Sequence, residues 1–322
     1  MNKNSWIIVV LFFSLSCISF NSNILTNWKF VDFDQSMGQN SDFYDEFYIN
    51  FFKDHGDALH PTIPMTNKEV MAFFKEIYIN NGAKLKLKKQ EGRIPKIIHQ
   101  IWIGGPMPQR CKVLTQSWIK KHPDWECKLW TDDEVAAFVQ TISSENRELI
   151  NNAESYAEKA DILRYEILYR FGGLYVDTDF ECLKSMDTIH ANYDFYTGLS
   201  QIDEDLLYAA IGIIGAMPGH PIIEYCVKNL KNSKSEDIVT KRTGPLFFTK
   251  AILQMLTRNI DMHTYEHVML LPATYFYPVG AKARKLVLKP KVLSRYLGLF
   301  PEALACHYWH GTWLEDPLYH EK

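Results

Sequence analysis

Apolar positions along this chain change period several times, and each change marks an element. The first pattern has no period. Residues 5–20, SWIIVVLFFSLSCISF, form an uncharged apolar run behind Lys3. At this length the run matches a signal-peptide core and falls slightly short of a bilayer span of roughly 20 residues. Small residues at Ser14 and Ser16, or Cys17 and Ser19, suit a signal peptidase. The segment predicts export or membrane attachment, as a cleaved signal or a retained anchor. Further on, Thr66 and Glu69 stand at capping-box spacing ahead of Val70, Met71, Phe73, Phe74 and Ile77, predicting a helix that ends near residues 80–82. The basic stretch KLKLKKQ (84–90) reads as a solvated linker. These patterns divide the chain into a signal or anchor (1–20), a stem with a docking helix (21–92) and a main domain (93–322).

Within the main domain the period alternates between two and 3.6. Lys96–Ile103 reads as a strand ending in Gly104 and Gly105, with a helix following to about Lys121. Trp125–Trp130 reads as a second strand, and Thr131 with Glu134 caps another helix. SYAEKADILRYEILYRF (155–171) opens with Ser155 and Glu158 at capping-box spacing and stops at Gly172 and Gly173. Its residues Ile162, Leu163, Tyr165, Ile167 and Leu168 pack one side, while Asp161 and Arg164 lie three apart on a neighbouring face. Strands alternating with helices imply a parallel sheet, whose ligand crevice lies at the carboxyl ends of the strands.

One such end carries chemistry. In FGGLYVDTDF (171–180) a short apolar strand runs into Asp177 and Asp179, and strand geometry would point both carboxylates to one face. Two carboxylates held together repel unless a cation lies between them. A hard divalent ion with oxygen ligands meets that need, and a nucleotide diphosphate can complete its shell. An acidic loop rim in water is the competing reading. Asp161 and Arg164 read alone as a helical salt bridge; one helix before the D-x-D they become candidates for holding sugar hydroxyls and a phosphate.

Composition bounds the rest. With 322 residues, 47% hydrophobic, the chain suffices for one large α/β domain with appended segments. A net charge of -3 argues against a nucleic-acid partner. The six cysteines, Cys17, Cys111, Cys127, Cys182, Cys226 and Cys306, show no C-x-x-C spacing and indicate neither a zinc site nor a dense disulfide framework.

Five ordered blocks carry a resemblance: IPKIIHQIWIGG (94–105), AEKADILRYEILYRFGGLYVDTDF (157–180), GAMPGHP (215–221), TGP (243–245) and HYWHGTW (307–313). Together they resemble the glycosyltransferases with a DXD sugar-binding region, family thirty-two. That family includes fungal initiating α-1,6-mannosyltransferases, inositolphosphoceramide mannosyltransferases and bacterial capsule enzymes, and its core is shared with the large clostridial glucosylating toxins. The resemblance implies a GT-A-type, Rossmann-like single catalytic domain. It also implies a metal-dependent retaining transfer of a hexose (mannose, glucose or galactose) from a nucleotide-diphosphate sugar to a glycan, lipid or protein acceptor. By the same resemblance Trp102 stacks near the nucleotide base, a core tryptophan being the plainer reading. Asp161 and Arg164 contact the donor sugar, Tyr175 lines the approach, Asp177 contacts the donor or its ribose and joins the metal set, and Asp179 binds Mn2+ or Mg2+. His307 lies near metal and diphosphate, Thr312 supplies a hydroxyl, and Trp313 faces the leaving group; His310 occupies a variable position and is peripheral. Ile211 stands before Gly212 where relatives often carry Asn, which bears on donor or acceptor choice.

No carboxylate identifies itself as a covalent nucleophile, so front-face transfer is expected, with the leaving phosphate helping to deprotonate the acceptor. A non-catalytic carbohydrate- or nucleotide-binding module on the same fold is an alternative. A D-x-D phosphatase is another, although Phe180 and Glu181 replace the Thr or Val such enzymes carry after the second Asp. Arg164→Lys is expected to cost activity while changing folding little.

Overall fold

Buried histidines and a pair of glycines set how the strands of a six-stranded sheet meet. The computed structural model describes residues 30–37, 67–83, 93–199, 207–258 and 267–310. The apolar run 5–20, the linker 84–90, Thr66, Thr312 and Trp313 lie outside these residues. In chain order the elements begin with α1 (Phe33–Met37), α2 (Asn67–Ala83), β1 (Ile97–Ile101), α3 (Gln109–Lys121), β2 (Glu126–Trp130), α4 (Asp132–Val139) and α5 (Ser144–Asn152). There follow α6 (Tyr156–Phe171), β3 (Gly173–Val176), β4 (Phe180–Cys182), α7 (Asp187–Asn192), β5 (Phe195–Leu199), β6 (Ala209–Ala216) and α8 (Pro221–Asn229). The described chain closes with α9 (Val239–Arg242), α10 (Pro245–Arg258), β7 (Val268–Leu271), the 3-10 turns Ala281–Leu288, α11 (Pro290–Leu297) and β8 (Ala305–His307).

The main sheet has the order β2-β1-β3-β6-β5-β7, and β4 pairs with β8 in a separate two-stranded sheet. β1 is parallel to β2 and β3, and β5 to β7, but β6 is antiparallel to both of its neighbours. The all-parallel sheet expected from the alternation is thus corrected to a mixed, mainly parallel one. The reason is length. Only residues 200–208 separate β5 from β6, too few for the crossover that a parallel neighbour requires.

α6 meets β3 through Gly172 (φ 62°) and Gly173 (φ 97°), a left-handed pair that turns the chain from helix into sheet. A β-carbon on Gly173 would lie 2.6 Å from the Ile97 carbonyl oxygen, so only glycine lets β3 pair closely with β1. α6 itself is buried at every position from Asp161 through Leu168 rather than on one stripe. Helix α2 belongs to the same core: Val70, Phe74, Ile77 and Tyr78 are buried, and Asn81 Nδ2 donates to the Val268 carbonyl on edge strand β7 at 2.6 Å. Its docking covers a sheet edge that would otherwise be open. The five described cysteines are unbridged.

Three buried histidines are each locked in one neutral tautomer. His99 accepts from Trp130 Nε1 at Nδ1 and so donates from Nε2 to the Gly172 carbonyl at 3.0 Å. His122 accepts from the Met186 amide at Nε2 and donates from Nδ1 to the Trp118 carbonyl. His190 donates from Nε2 to the Pro95 carbonyl at 2.8 Å, leaving Nδ1 for the Tyr196 hydroxyl. Burial pushes His99 and His190 down to about 4 and lowers His122. The unfolded chain binds the His99 and His190 protons near pH 6.5 while the folded chain refuses them until about 4. Their contribution to stability is therefore complete above about pH 6.5 and is lost as pH falls toward 4. A melting temperature that drops across that window is expected in a pH series; one that stays flat from neutral pH down to about 4.5 would contradict the locked tautomers.

Candidate active site

The site gathers where the end of β3 meets the end of β8. Asp177 and Asp179 do not stand on a strand: they occupy the turn between β3 and β4, closed by the Phe180 amide donating to the Asp177 carbonyl at 3.2 Å. The same-face expectation from strand alternation is corrected accordingly, since it is the turn that aims both carboxylates at His307. Antiparallel pairing of β4 with β8 sets Phe180 opposite His307, and His307 Nε2 reaches Asp179 Oδ1 at 3.0 Å. One ligand atom from each of Asp177, Asp179 and His307 lies within 4.8 Å of the others.

The segment 307–310 wraps Asp179 from three directions. Besides the His307 ring, the His310 amide donates to Asp179 Oδ2 at 3.0 Å and the Tyr308 amide to the Asp179 carbonyl at 2.9 Å. Trp309 makes this wrap with φ 52°, a strained conformation for a bulky residue. Its indole donates to the Val279 carbonyl at 2.8 Å, and its ring stands edge-on to His307 with centroids 4.0 Å apart. His310, expected to be peripheral, is buried and holds Asp179 through its backbone.

Behind Asp177 lies a buried chain of charge. Arg164 donates from Nε to the Ala160 carbonyl at 3.2 Å and from Nη1 to the Ile211 carbonyl at 2.7 Å. It bridges Asp161 at 2.8 Å and Asp177 at 3.4 Å, with its plane over the Tyr175 ring. Thr243 donates to Asp161 Oδ2 at 3.0 Å, and the Tyr175 hydroxyl donates to Asp177 Oδ1 at 2.7 Å. Arg164 and Asp161 are 5% and 8% exposed against 31% for Asp177, so Asp177 is the member of the chain that solvent reaches. Ile211 meets Arg164 through its carbonyl; the side-chain departure at this position leaves that bond intact.

Burial raises Asp161 to about 6 against the pull of Arg164, which still leaves it ionised at neutral pH. Burial works against the charge of Arg164, but Tyr175, Asp177 and Asp161 outweigh it and raise its pKa. The two turn carboxylates move apart: burial and the nearby Asp179 raise Asp177 against Arg164, whereas Asp179 is lowered because His307 and the His310 amide overcome its burial. A repelling pair split this way is one that a shared cation would relieve.

The donor set suits a hard divalent metal. Two carboxylates and one imidazole close enough to share an ion are oxygen-rich ligands with open positions left over. Glycine shapes the adjoining gap. A β-carbon on Gly212 would come within 2.9 Å of Asp177 Oδ2 and 3.2 Å of the Tyr277 hydroxyl, so the two oxygens flank the same space. That hydroxyl is buried and has no hydrogen-bond partner among the described residues, and His307 Nδ1 is in the same condition. Tyr277 was not singled out from sequence, for YFYPVG carries no motif. Trp102 follows β1, where the parallel pairing of His99 with Tyr175 brings the end of β1 level with Asp177; its indole donates to the Gly105 carbonyl at 2.9 Å.

Comparison with known proteins places this arrangement. Residues 108–196, which hold Asp161, Arg164, Asp177 and Asp179, match the family described as "Glycosyltransferase sugar-binding region containing DXD motif". An uncharacterised glycosyltransferase of Acanthamoeba polyphaga mimivirus is 30% identical over 191 residues, covering 58% of this chain and 73% of its own. The chain belongs to the DXD glycosyltransferase family. Inositol phosphoceramide mannosyltransferase 3 of Schizosaccharomyces pombe is 31% identical over 213 residues, 62% of this chain and 54% of that protein. The chain thus spans about half the length of the inositol phosphoceramide mannosyltransferases it matches. Among solved structures, "PaToxG Glycosyltransferase" aligns with a TM-score of 0.45 at 19% identity, over 73% of this chain and 87% of that one.

For this DXD glycosyltransferase the geometry revises one expectation. Arg164 is too enclosed for Lys to replace it without cost to folding, because the ammonium cannot span Ala160, Ile211, Asp161 and Asp177 at once. Arg164→Lys should lose about 3 kcal/mol in urea unfolding, the low end for breaking a buried ion pair. A variant as stable as wild type would show that the buried chain contributes little.

Proposed function

We propose that this protein is a metal-dependent, retaining glycosyltransferase of the GT-A type that moves a hexose from a nucleotide-diphosphate sugar to an acceptor hydroxyl. The observation that carries the reading is the convergence of Asp177, Asp179 and His307 at the carboxyl end of β3. The mannosyltransferase names among the relatives favour mannose over glucose or galactose, and glycans, lipids and proteins are the acceptor classes considered. Export or membrane attachment through residues 5–20 completes the proposal, with 1–20, 21–92 and 93–322 as its parts; among the described residues no helix is long and apolar enough to cross a membrane.

Asp179, Asp177 and His307 would hold Mn2+ or Mg2+, which when bound neutralises charge growing on the leaving nucleoside diphosphate. Asp179 has its backbone and one carboxylate oxygen fixed by Tyr308 and His310, so its remaining freedom is spent facing the ion. Asp177, partly open to solvent and steadied by Arg164 and Tyr175, offers an acceptor oxygen to a donor hydroxyl or the ribose. Asp161 and Arg164 act behind it by keeping its carboxylate in place and charged. Tyr277 presents its unmet hydroxyl to the same gap, where a sugar hydroxyl or phosphate oxygen would satisfy it. Trp102 is proposed to stack on the base, Thr312 to supply a hydroxyl near the diphosphate, and Trp313 to face the leaving group. With no further carboxylate at the gap among the described residues, the leaving phosphate would take the acceptor proton.

Asp179→Asn keeps the shape of the turn but removes the charge that attracts the cation. The variant should fold as stably as wild type without metal, yet lose manganese-dependent hydrolysis of, and transfer from, GDP-mannose or a UDP-hexose by orders of magnitude. Chelation should reproduce that loss in wild type, and added manganese should reverse it. Full turnover in excess chelator would refute metal dependence. Failure of every nucleotide sugar to raise the melting temperature with manganese present would refute the donor class, since a ligand at a hundred times its Kd adds about 2.7 kcal/mol.

A further inference from the structure

A charged surface beside the site has no part in the chemistry above. From Ala281 to Pro301 the sequence AKARKLVLKPKVLSRYLGLFP holds six cations, Lys282, Arg284, Lys285, Lys289, Lys291 and Arg295, and no acidic residue, in a chain whose net charge is -3. The same stretch contains Leu288, Val292 and Leu299, exposed by 55%, 45% and 70%, three of the ten large apolar side chains exposed among the described residues. Of these only Val292 stands on α11, on its outer face with Arg295; Leu288 ends the 3-10 turns before the non-helical Lys289, and Leu299 follows the C-cap Gly298. The opposite face is occupied: Leu293 is buried, and Tyr296 and Leu297 pack with Val279, Val287 and Cys306. α11 therefore turns its apolar face to the core, while Val292 on its outer face and Leu288 and Leu299 beyond its two ends stay exposed, where core packing gives no reason for them.

We propose that residues 281–299 form a membrane-docking surface that inserts the exposed Leu288, Val292 and Leu299 side chains into the interface of an anionic bilayer while Lys285, Lys289, Lys291 and Arg295 meet the lipid phosphates. Exposed apolar side chains interspersed with lysines suit a surface lying in the plane of an interface, with long basic side chains reaching the headgroups. The charge excess selects an anionic surface, and the exposed leucines select a surface with an apolar layer beneath its charge, which a soluble polyanion lacks. The patch is continuous with the site. It packs through Cys306 onto β8 and beside Tyr308, whose amide holds the Asp179 carbonyl. The surface is independent of the transfer reading and would stand if that reading failed. It is also independent of residues 5–20, which call for no particular lipid charge.

Vesicle co-sedimentation of the full chain tests this, comparing phosphatidylcholine vesicles with phosphatidylcholine mixed with phosphatidylserine. Each cation at an anionic surface is worth about fivefold in affinity. Wild type should therefore prefer the anionic vesicles by more than tenfold, and the preference should weaken as salt rises. The triple variant Lys285→Glu, Lys289→Glu, Lys291→Glu should lose that preference while keeping its melting temperature. Leu299→Ser should weaken binding to anionic vesicles severalfold with the charge unchanged. A triple variant that still prefers anionic vesicles would overturn the proposal. So would wild-type binding to heparin or RNA that equals vesicle binding and is untouched by Leu299→Ser, which would mark the surface as a polyanion site.

Discussion

The buried guanidinium of Arg164 is the constraint on which the site depends. A cation enclosed between α6 and the sheet must have its charge and its donors met, and the chain meets them with Asp161, Asp177 and two carbonyls. Because Asp161 is in turn held by Thr243, the arrangement runs from α9's end through α6 to the turn after β3. Asp177 is its outermost member. Its position is thus fixed from behind, by groups that solvent does not reach, while its free oxygen faces the gap. A pair of repelling carboxylates can be kept in one turn only if each has such an anchor: Arg164 and Tyr175 for Asp177, and the wrap of residues 307–310 for Asp179.

Much of this was legible in sequence where local chemistry decides the outcome. Thr131 and Glu134 start α4 as their spacing predicts, with the Thr131 amide donating to the Glu134 carboxylate. Ser155 caps α6 by accepting from the Glu158 amide, but the Glu158 side chain bonds the Glu154 amide and Arg242 instead of completing a capping box. A spacing rule sees the cap; it cannot see a competing arginine 84 residues away. Asp161 and Arg164 were visible as a pair, yet their burial was not. Both appear on a polar face of α6, and only the tertiary fold shows that this face is turned inward.

What could not be read depends on long-range pairing. An apolar run such as AAIGIIGA has the same pattern in either direction, so the antiparallel course of β6 is set by the short link from β5 and not by periodicity. The convergence of His307 on Asp179 spans 128 residues and rests on β4 pairing with β8. Family resemblance supplied His307 where residue chemistry alone would have left it a core histidine. Neither route pointed to Tyr277 or to the His310 amide, since one lies in no motif and the other acts through an atom every residue possesses.

Fold and chemistry meet in the proposal that Asp177, Asp179 and His307 together bind one divalent ion. Titration of Mn2+ into the full chain, followed by electron paramagnetic resonance with a nucleoside diphosphate present, measures this without relying on turnover. The account predicts one bound ion per chain, lost in Asp179→Asn and weakened in His307→Ala. Binding of one ion that neither substitution disturbs, or no binding by wild type at millimolar manganese, would contradict it.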